Sequence, residues 1–387
     1  MSLFQLHVRV AVSTASTAAT RLVPRWGQQR GATQRRRVPP RGAAEVTRLT
    51  FVDTAPRALA CRGVSGQAGP APAVAAVRVA VRRLLSEVGP PGALVACSGG
   101  ADSVALAAAV AVEAPRLGMP AGLVTVDHGL QPGSAGWAAR VAELGRSLGL
   151  DPVLVRPVEV GIAGGPEAAA RTARYRALDA AVPAGWVLLL GHTLDDQAET
   201  VLLGLGRGSG PRSIAGMRPV DGHRLRPLLG IRRATTRAAC AAERLPYQDD
   251  PHNADPRFTR VRLRTEVLPL LEDVLAGGVA EALARTAELL RDDLDALDAL
   301  AADVAARVVL PGAAVDAVAL AAHPAAVRVR VLRGWLAAQG VPALTAAQLR
   351  AADALVADWR GQGPVALPSG RAVRRASGML HLARPDR

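Results

Sequence analysis

The 387-residue chain predicts an α/β protein: a doubly wound parallel sheet, then a long linker helix and a small C-terminal α+β domain. Three observations carry that prediction. Between residues 93 and 190, short apolar runs alternate with helical stretches, the βαβ pattern of parallel strands joined by right-handed crossovers. A glycine-rich loop lies where the first apolar run meets the first helix of that series. Beyond Arg260 the alternation gives way to one long helical periodicity and a short mixed segment.

Order is expected to begin near Pro70. Val77, Val81, Leu84, Leu85 and Val88 fall on one face of a helix that Gly89-Pro90-Pro91 stops. Residues 93–97, 123–126, 153–155 and 187–190 read as buried strands, with helices at 104–112, 137–148 and 167–182 between them. Leu283, Leu290, Leu294 and Leu297 mark one face of a helix within 277–310. Two more helices are expected near 324–338 and 345–359, the second opened by the capping-box pattern Thr345-Ala346-Ala347-Gln348. Leu367-Pro368-Ser369-Gly370 reads as a turn between short terminal strands.

Composition narrows the class. No apolar run reaches the roughly 20 residues of a membrane span. Cys61, Cys97 and Cys240 are too few and too scattered for a metal ribbon or a disulfide scaffold, which favours a reducing, cytosolic setting. The formal charge is +14 and the chain has no lysine, so every fixed side-chain cation is arginine. Guanidinium groups suit phosphate, although a GC-rich genome is the first explanation of such a bias. Residues 1–70 hold eleven arginines against Glu45 and Asp53 and carry +9 of the charge. They have few acids and no sustained periodicity, so they are expected to be a disordered basic extension.

Ser98-Gly99-Gly100-Ala101-Asp102-Ser103 follows the first predicted strand and precedes a helix. Small residues let backbone amides approach a phosphate, amides at a helix start point at the anion, and the serines can donate hydroxyls. No Gly-Lys-Ser/Thr follows, which disfavours γ-phosphoryl chemistry built on a Walker lysine. An ordinary glycine turn is the plainer reading, and the specificity of the pattern outweighs it. A second segment, residues 191–200, leaves the strand at 187–190 and opens another helix. Asp196 and Glu199 stand there at i, i+3, and Asp195 and Glu199 at i, i+4, able to hold Mg²⁺ or orient an amine. The competing reading is that these carboxylates serve only the helix dipole.

Glu167, Arg171, Arg174 and Tyr175 share one helix face. His128 and His192 stand at strand ends, where a structural role is as ready as a functional one. Trp137, Trp186, Trp335 and Trp359 read as core, and Cys97 as packing.

The loop at 98–103 resembles that of the N-type ATP pyrophosphatases, the PP-loop enzymes, which cleave ATP between the α and β phosphates. Further segments make the resemblance narrower. They are Val126-Asp127-His128-Gly129-Leu130, residues 167–175 and 191–200, Arg207-Gly208-Ser209-Gly210, Arg226-Pro227-Leu228-Leu229, Asp250-Pro251-His252-Asn253 and residues 258–264. Over about 74–270 the set resembles the tRNA(Ile)-lysidine synthases, in their short form. Gln131 stands where that family usually has Arg, and Val261 where it usually has Asn.

The resemblance implies ATP and Mg²⁺ as cofactors, with free L-lysine and the CAU-anticodon isoleucine tRNA as partners. A homodimer and a cytoplasmic location are further expectations. It implies that Ser98, Gly99, Gly100, Ala101, Asp102 and Ser103 bind the nucleotide, with His128 and His192 as lesser contacts. Asp102 and Asp196 would serve the metal. Asp102, Arg171, Asp196 and Glu199 form the catalytic set, while Arg174, Arg207, Arg212, Arg260, Arg262 and Arg264 would meet tRNA. The last three alternate, facing one side if extended but not if helical. The implied domains are the extension 1–70, a PP-loop catalytic domain 71–258, a helical linker 259–310 and a C-terminal tRNA-binding domain 311–387. Two alternatives compete: a tRNA thiolase, which would want paired cysteines, and a non-catalytic RNA-binding protein, against which the intact acids argue.

Overall fold

The computed structural model describes residues 69–127, 129, 133–158, 166–208, 210–249 and 255–383. The basic extension up to residue 68, His128, Gln131 and residues 250–253 therefore lie outside the described residues. No helix among the described residues is long and apolar enough to cross a membrane.

Helix α1 (Pro72–Val88) buries Val74, Val77, Val81, Leu84 and Leu85 and ends at Gly89, whose φ of 60° suits glycine. The sheet follows in alternation: β1 (Ala93–Ala96), α2 (Ala101–Arg116), β2 (Ala121–Asp127), α3 (Ser134–Ser147), β3 (Val153–Pro157), α4 (Pro166–Ala181) and β4 (Val187–Leu190). Then come α5 (Leu194–Arg207), the short α6 (Pro211–Ile214), β5 (Val220–Asp221), β6 (Arg224–Leu225) and α7 (Arg233–Ala242). The strand order is β3-β2-β1-β4-β6-β5. Every pairing is parallel except β5 with β6.

The central strands β1 and β4 are covered on both faces, which is why their sequences run apolar without alternation. One core lies under α1, α2, α3 and α7, with Val81, Leu85, Leu106 and Leu189 fully enclosed. The other lies under α4, with Leu94, Val124, Leu178 and Leu188. From β1 the chain runs to β2 and β3 on one side and then returns to place β4 on the other side of β1. A crevice opens at such a reversal, at the carboxyl ends of the two strands.

Past the sheet, the segment with Arg260, Arg262 and Arg264 is helical: α8 (Thr259–Arg262), a π turn (Leu263–Val267) and α9 (Leu268–Val274). Val261 is buried in it. The long helix is α10 (Val279–Val308). Its first turns pack Ala280 and Leu283 against Leu194 and Ala198 of α5, and its last turns place Ala301, Val304 and Val308 in a second body. That body contains β7 (Val315–Asp316), α11 (Ala317–Ala321), α12 (Ala325–Ala338), α13 (Ala346–Ala357), β8 (Val365–Leu367), β9 (Arg371–Ala376) and β10 (Met379–Ala383). Its antiparallel sheet has the order β7-β10-β9-β8. The Thr345–Gln348 capping box opens α13.

The tryptophans divide. Trp335 lies in the second core, and Trp137 and Trp186 pack at core margins. Trp359, expected inside, is 39% exposed. Arg375 lies 5.3 Å over its ring, a cation–π contact that needs no burial.

Candidate active site

At the end of β1 the chain turns through Ser98, Gly99 and Gly100 into α2. Gly99 has φ +85°, and a Cβ there would stand 2.3 Å from the Trp137 ring. The Trp137 indole N–H donates to the Ser98 carbonyl at 2.9 Å, and the Gln248 backbone N–H donates to the Gly99 carbonyl at 3.0 Å. The buried Ser103 hydroxyl donates to the Gly100 carbonyl at 2.9 Å and accepts the Ser98 N–H at 3.2 Å. No side chain caps α2 at Gly100. Its first amides are therefore available to an anion.

From β4 the chain passes Gly191 and His192 into α5. A Cβ on Gly191 would lie 3.1 Å from the Ser103 nitrogen, so the starts of α2 and α5 are side by side over the crevice. Asp196 divides its oxygens: Oδ2 accepts the Thr193 N–H and hydroxyl, each at 2.8 Å, and Oδ1 accepts Arg233 Nη2 at 2.6 Å. The helix-start role and the site role thus coexist in one side chain. Asp195 turns away, accepting the Arg233 backbone N–H at 2.7 Å and pairing with Arg232 at 3.6 Å.

Glu199 is fully buried and held by Arg264 at 2.8 Å, Arg260 at 3.5 Å and Arg233 at 3.7 Å. Asp102 accepts the Thr236 hydroxyl, and Arg233 Nε at 3.3 Å. Burial pushes the Asp102 carboxyl above its ordinary range, against the pull of Thr236 and Arg233. Burial acts upward on Asp196 too, yet Arg233 and the Thr193 donors outweigh it and hold that carboxyl low. His192, desolvated and near Arg226, Arg171 and Arg174, is pushed down to about 4 and is neutral at pH 7.

A cavity of about 530 Å³ lies between these elements, lined among others by Ser98, Asp102, Tyr175, His192, Asp196 and Arg233. Glu199 sits behind that wall. Arg174 lines the cavity too, and burial lowers its pKa. Arg171 is exposed, 5.0 Å over the Tyr175 ring, with Arg174 at 5.6 Å and Arg224 at 5.0 Å from the same ring. The structure thus gathers the 98–103 loop, His192, Asp196 and Arg174 around one space, with Glu199 and Arg171 beside it.

The arginines expected to meet tRNA have varied settings. Arg207 is exposed at the end of α5. Arg212 pairs with Asp298 at 2.7 Å, and Arg262 with Glu266 at 2.9 Å. Because their segment is helical, Arg260, Arg262 and Arg264 form no single strip: Arg260 and Arg264, one turn apart, point inward to Glu199. Sequence reasoning missed Arg233, Thr236, Trp137 and Gln248. Nothing local distinguishes Arg233 from Arg232, and its partner Asp102 is 131 positions away.

Asp102 and Asp196 already share one cation, and carboxylates supplemented by phosphate oxygens and water are what Mg²⁺ takes. Their donor chemistry fits that ion. Among the described residues no group of three or more His, Cys, Asp or Glu is gathered as a ready metal cage.

The profile of the PP-loop domain matches residues 75–271, and that of the TilS substrate binding domain matches residues 316–381. A tRNA(Ile)-lysidine synthase from Leifsonia xyli is 56% identical over 298 residues, 75% of this chain and 90% of that protein. One from Thermobifida fusca is 55% identical over 318 residues, 81% of this chain and 98% of that protein. The chain belongs to the tRNA(Ile)-lysidine synthase family. Among solved structures, the U34-tRNA thiolase NcsA from Methanococcus maripaludis is 18% identical with a TM-score of 0.46, covering 57% of this chain and 80% of that one. For a lysidine synthase family member, the PP-loop identity accounts for the uncapped α2 start: it is the ATP-using part of the fold. Among the described residues the cysteines are Cys97 and Cys240, both free and buried, and burial pushes Cys240 up to about 12, whereas the thiolase alternative would want paired, reactive thiols.

Proposed function

We propose that the protein joins the ε-amine of free lysine to C2 of the wobble cytidine in the CAU-anticodon isoleucine tRNA, consuming ATP and releasing AMP and pyrophosphate. The observation that carries this reading is the side-by-side placement of an uncapped PP-loop helix and the start of α5, with Asp196 lining the same cavity and Glu199 in the wall behind it. In this reading the amides at the start of α2 and the Ser98 hydroxyl bind the phosphates. The C2 oxygen attacks the α-phosphorus, the bond to pyrophosphate breaks, and an adenylated base forms. The lysine amine then attacks C2, and AMP leaves. Asp196 and Glu199 orient the ammonium and take up its proton, while Arg171 and Arg174 steady the nucleotide phosphate or the tRNA backbone.

Mg²⁺ would be held by Asp102 and Asp196 and would neutralise charge on the departing pyrophosphate. The anticodon loop is single-stranded, so the target base leaves its stack at little cost. A cytoplasmic setting, where ATP, lysine and tRNA meet, belongs to the same reading. The test is transfer of radiolabelled lysine to CAU isoleucine tRNA and to the same tRNA carrying uridine at the wobble position. Label is expected only in the first and only with ATP. Label in both, or in neither, contradicts the reading.

A further inference from the structure

Arg233 occupies the junction of the two halves of the site. Its Nε reaches Asp102 at 3.3 Å, its Nη2 reaches Asp196 at 2.6 Å, and its Nη1 lies 3.7 Å from Glu199. The side chain is 17% exposed, so these contacts are poorly screened. Under the function proposed above, on which this inference rests, two other cations need the same oxygens: a metal at Asp102 and Asp196, and the lysine ammonium at Asp196 and Glu199. One guanidinium cannot keep all three seats and admit both.

We infer that Arg233 is a resident counter-cation that blocks lysine from Asp196 and Glu199 until nucleotide binding draws it off them. Three features support a movable side chain on a fixed helix. Its own backbone N–H bonds Asp195 at 2.7 Å, and Thr236, one turn on, bonds Asp102. Helix α7 is thereby anchored without the guanidinium. Arg233 and Arg237 both line the cavity where the phosphates are expected, and a guanidinium binds phosphate by a bidentate fork. Asp196 and Glu199 keep their other partners when Arg233 leaves, namely Thr193 on Oδ2 and Arg264 on Glu199. They stay aimed: Asp196 Oδ1, with Arg264 Nη2 at 3.8 Å, is the acceptor released for a primary ammonium, while Glu199 stays beside it on Arg264 and Arg260. Arg233 is thus a positioning residue that couples the two substrates.

The test is equilibrium dialysis of the full chain with radiolabelled lysine, with and without Mg²⁺ and an ATP analogue carrying a methylene bridge between the α and β phosphates. In the unaltered protein the analogue is expected to tighten lysine binding about 5- to 150-fold, the usual range of coupling between sites. Arg233→Gln is expected to bind lysine more tightly than the unaltered protein without nucleotide, and the ratio between the two conditions should fall towards one. Arg233→Lys should keep part of the ratio. A purely structural arginine would weaken lysine binding equally in both conditions and leave the ratio intact. Unaltered protein that makes lysidine yet binds lysine equally, or not at all, in both conditions overturns the inference and leaves the proposed function standing. Failure to make lysidine overturns the function itself.

Discussion

At the residue scale, the site sets Asp102, Asp196 and Glu199 against a few arginines, chiefly Arg233 and Arg264, and the proposed function gives Asp102 and Glu199 different tasks. Asp102 lies at the PP-loop helix and Glu199 in the wall behind the cavity. Asp102→Ala should therefore abolish adenylate formation, whereas Glu199→Ala should leave more adenylation than lysine transfer. Rapid-quench assays of each half-reaction check this; equal loss of both steps in Glu199→Ala would place that residue with the metal instead. His192 supplies a pH prediction. Its folded pKa of about 4 lies below the ordinary 6.5, so between these values the unfolded chain binds the extra proton. Its contribution is present above pH 6.5 and is lost as the pH falls towards 4, to a total of roughly 3 kcal/mol at most. Denaturant titrations at pH 7.5 and 5 should show a smaller loss of stability in His192→Gln than in the unaltered protein; an equal loss refutes the assignment.

At the element scale, the parts that repeat a period were legible and the parts set by distant contacts were not. Residues 93–97 and 187–190 read as strands because both faces of β1 and β4 are covered, leaving only apolar side chains. The Leu283–Leu297 stripe read as a helix because α10 repeats one inward face, which lays Leu283 against α5 and buries Leu294. By contrast β5 and β6, two residues each, are too short to show alternation. The arginines at 260–264 alternate like a strand, but Val261 is buried while Arg260 and Arg264 reach Glu199, which demands a helical turn. Trp359 read as core from its type alone, yet it stands at the surface with Arg375 over its ring. The loop between β1 and α2 depends on Gly99, because its φ of +85° and the adjacent Trp137 ring leave no room for a side chain. Gly99→Ala should cost about 1–3 kcal/mol through backbone strain and weaken nucleotide binding; calorimetric titration with ATP that shows unchanged affinity would contradict that role.

At the scale of the whole molecule, α10 joins the catalytic sheet to the second body, and Asp298 stitches them. It accepts Arg212 from α6 at 2.7 Å and Arg330 from α12 at 2.9 Å. Arg218, just after α6, pairs with Asp295 of α10 and adds a contact on the catalytic side of that helix. Asp298→Ala should lower stability by about 1 kcal/mol, as partly exposed pairs allow, and raise the KM for tRNA with ATP affinity unchanged; an unchanged tRNA KM would show that the tie does not orient the second body. The sequence already separated these bodies by the change of pattern after Arg260, yet no local signal joined Arg212 to a helix 86 positions away. The central claim is that this PP-loop site adenylates a tRNA base and hands it to lysine. It is tested most directly by following ATP labelled at the α-phosphate during lysine transfer to CAU isoleucine tRNA. The account predicts one AMP for each lysine incorporated, with pyrophosphate as the other product; ADP and inorganic phosphate in that ratio would contradict it.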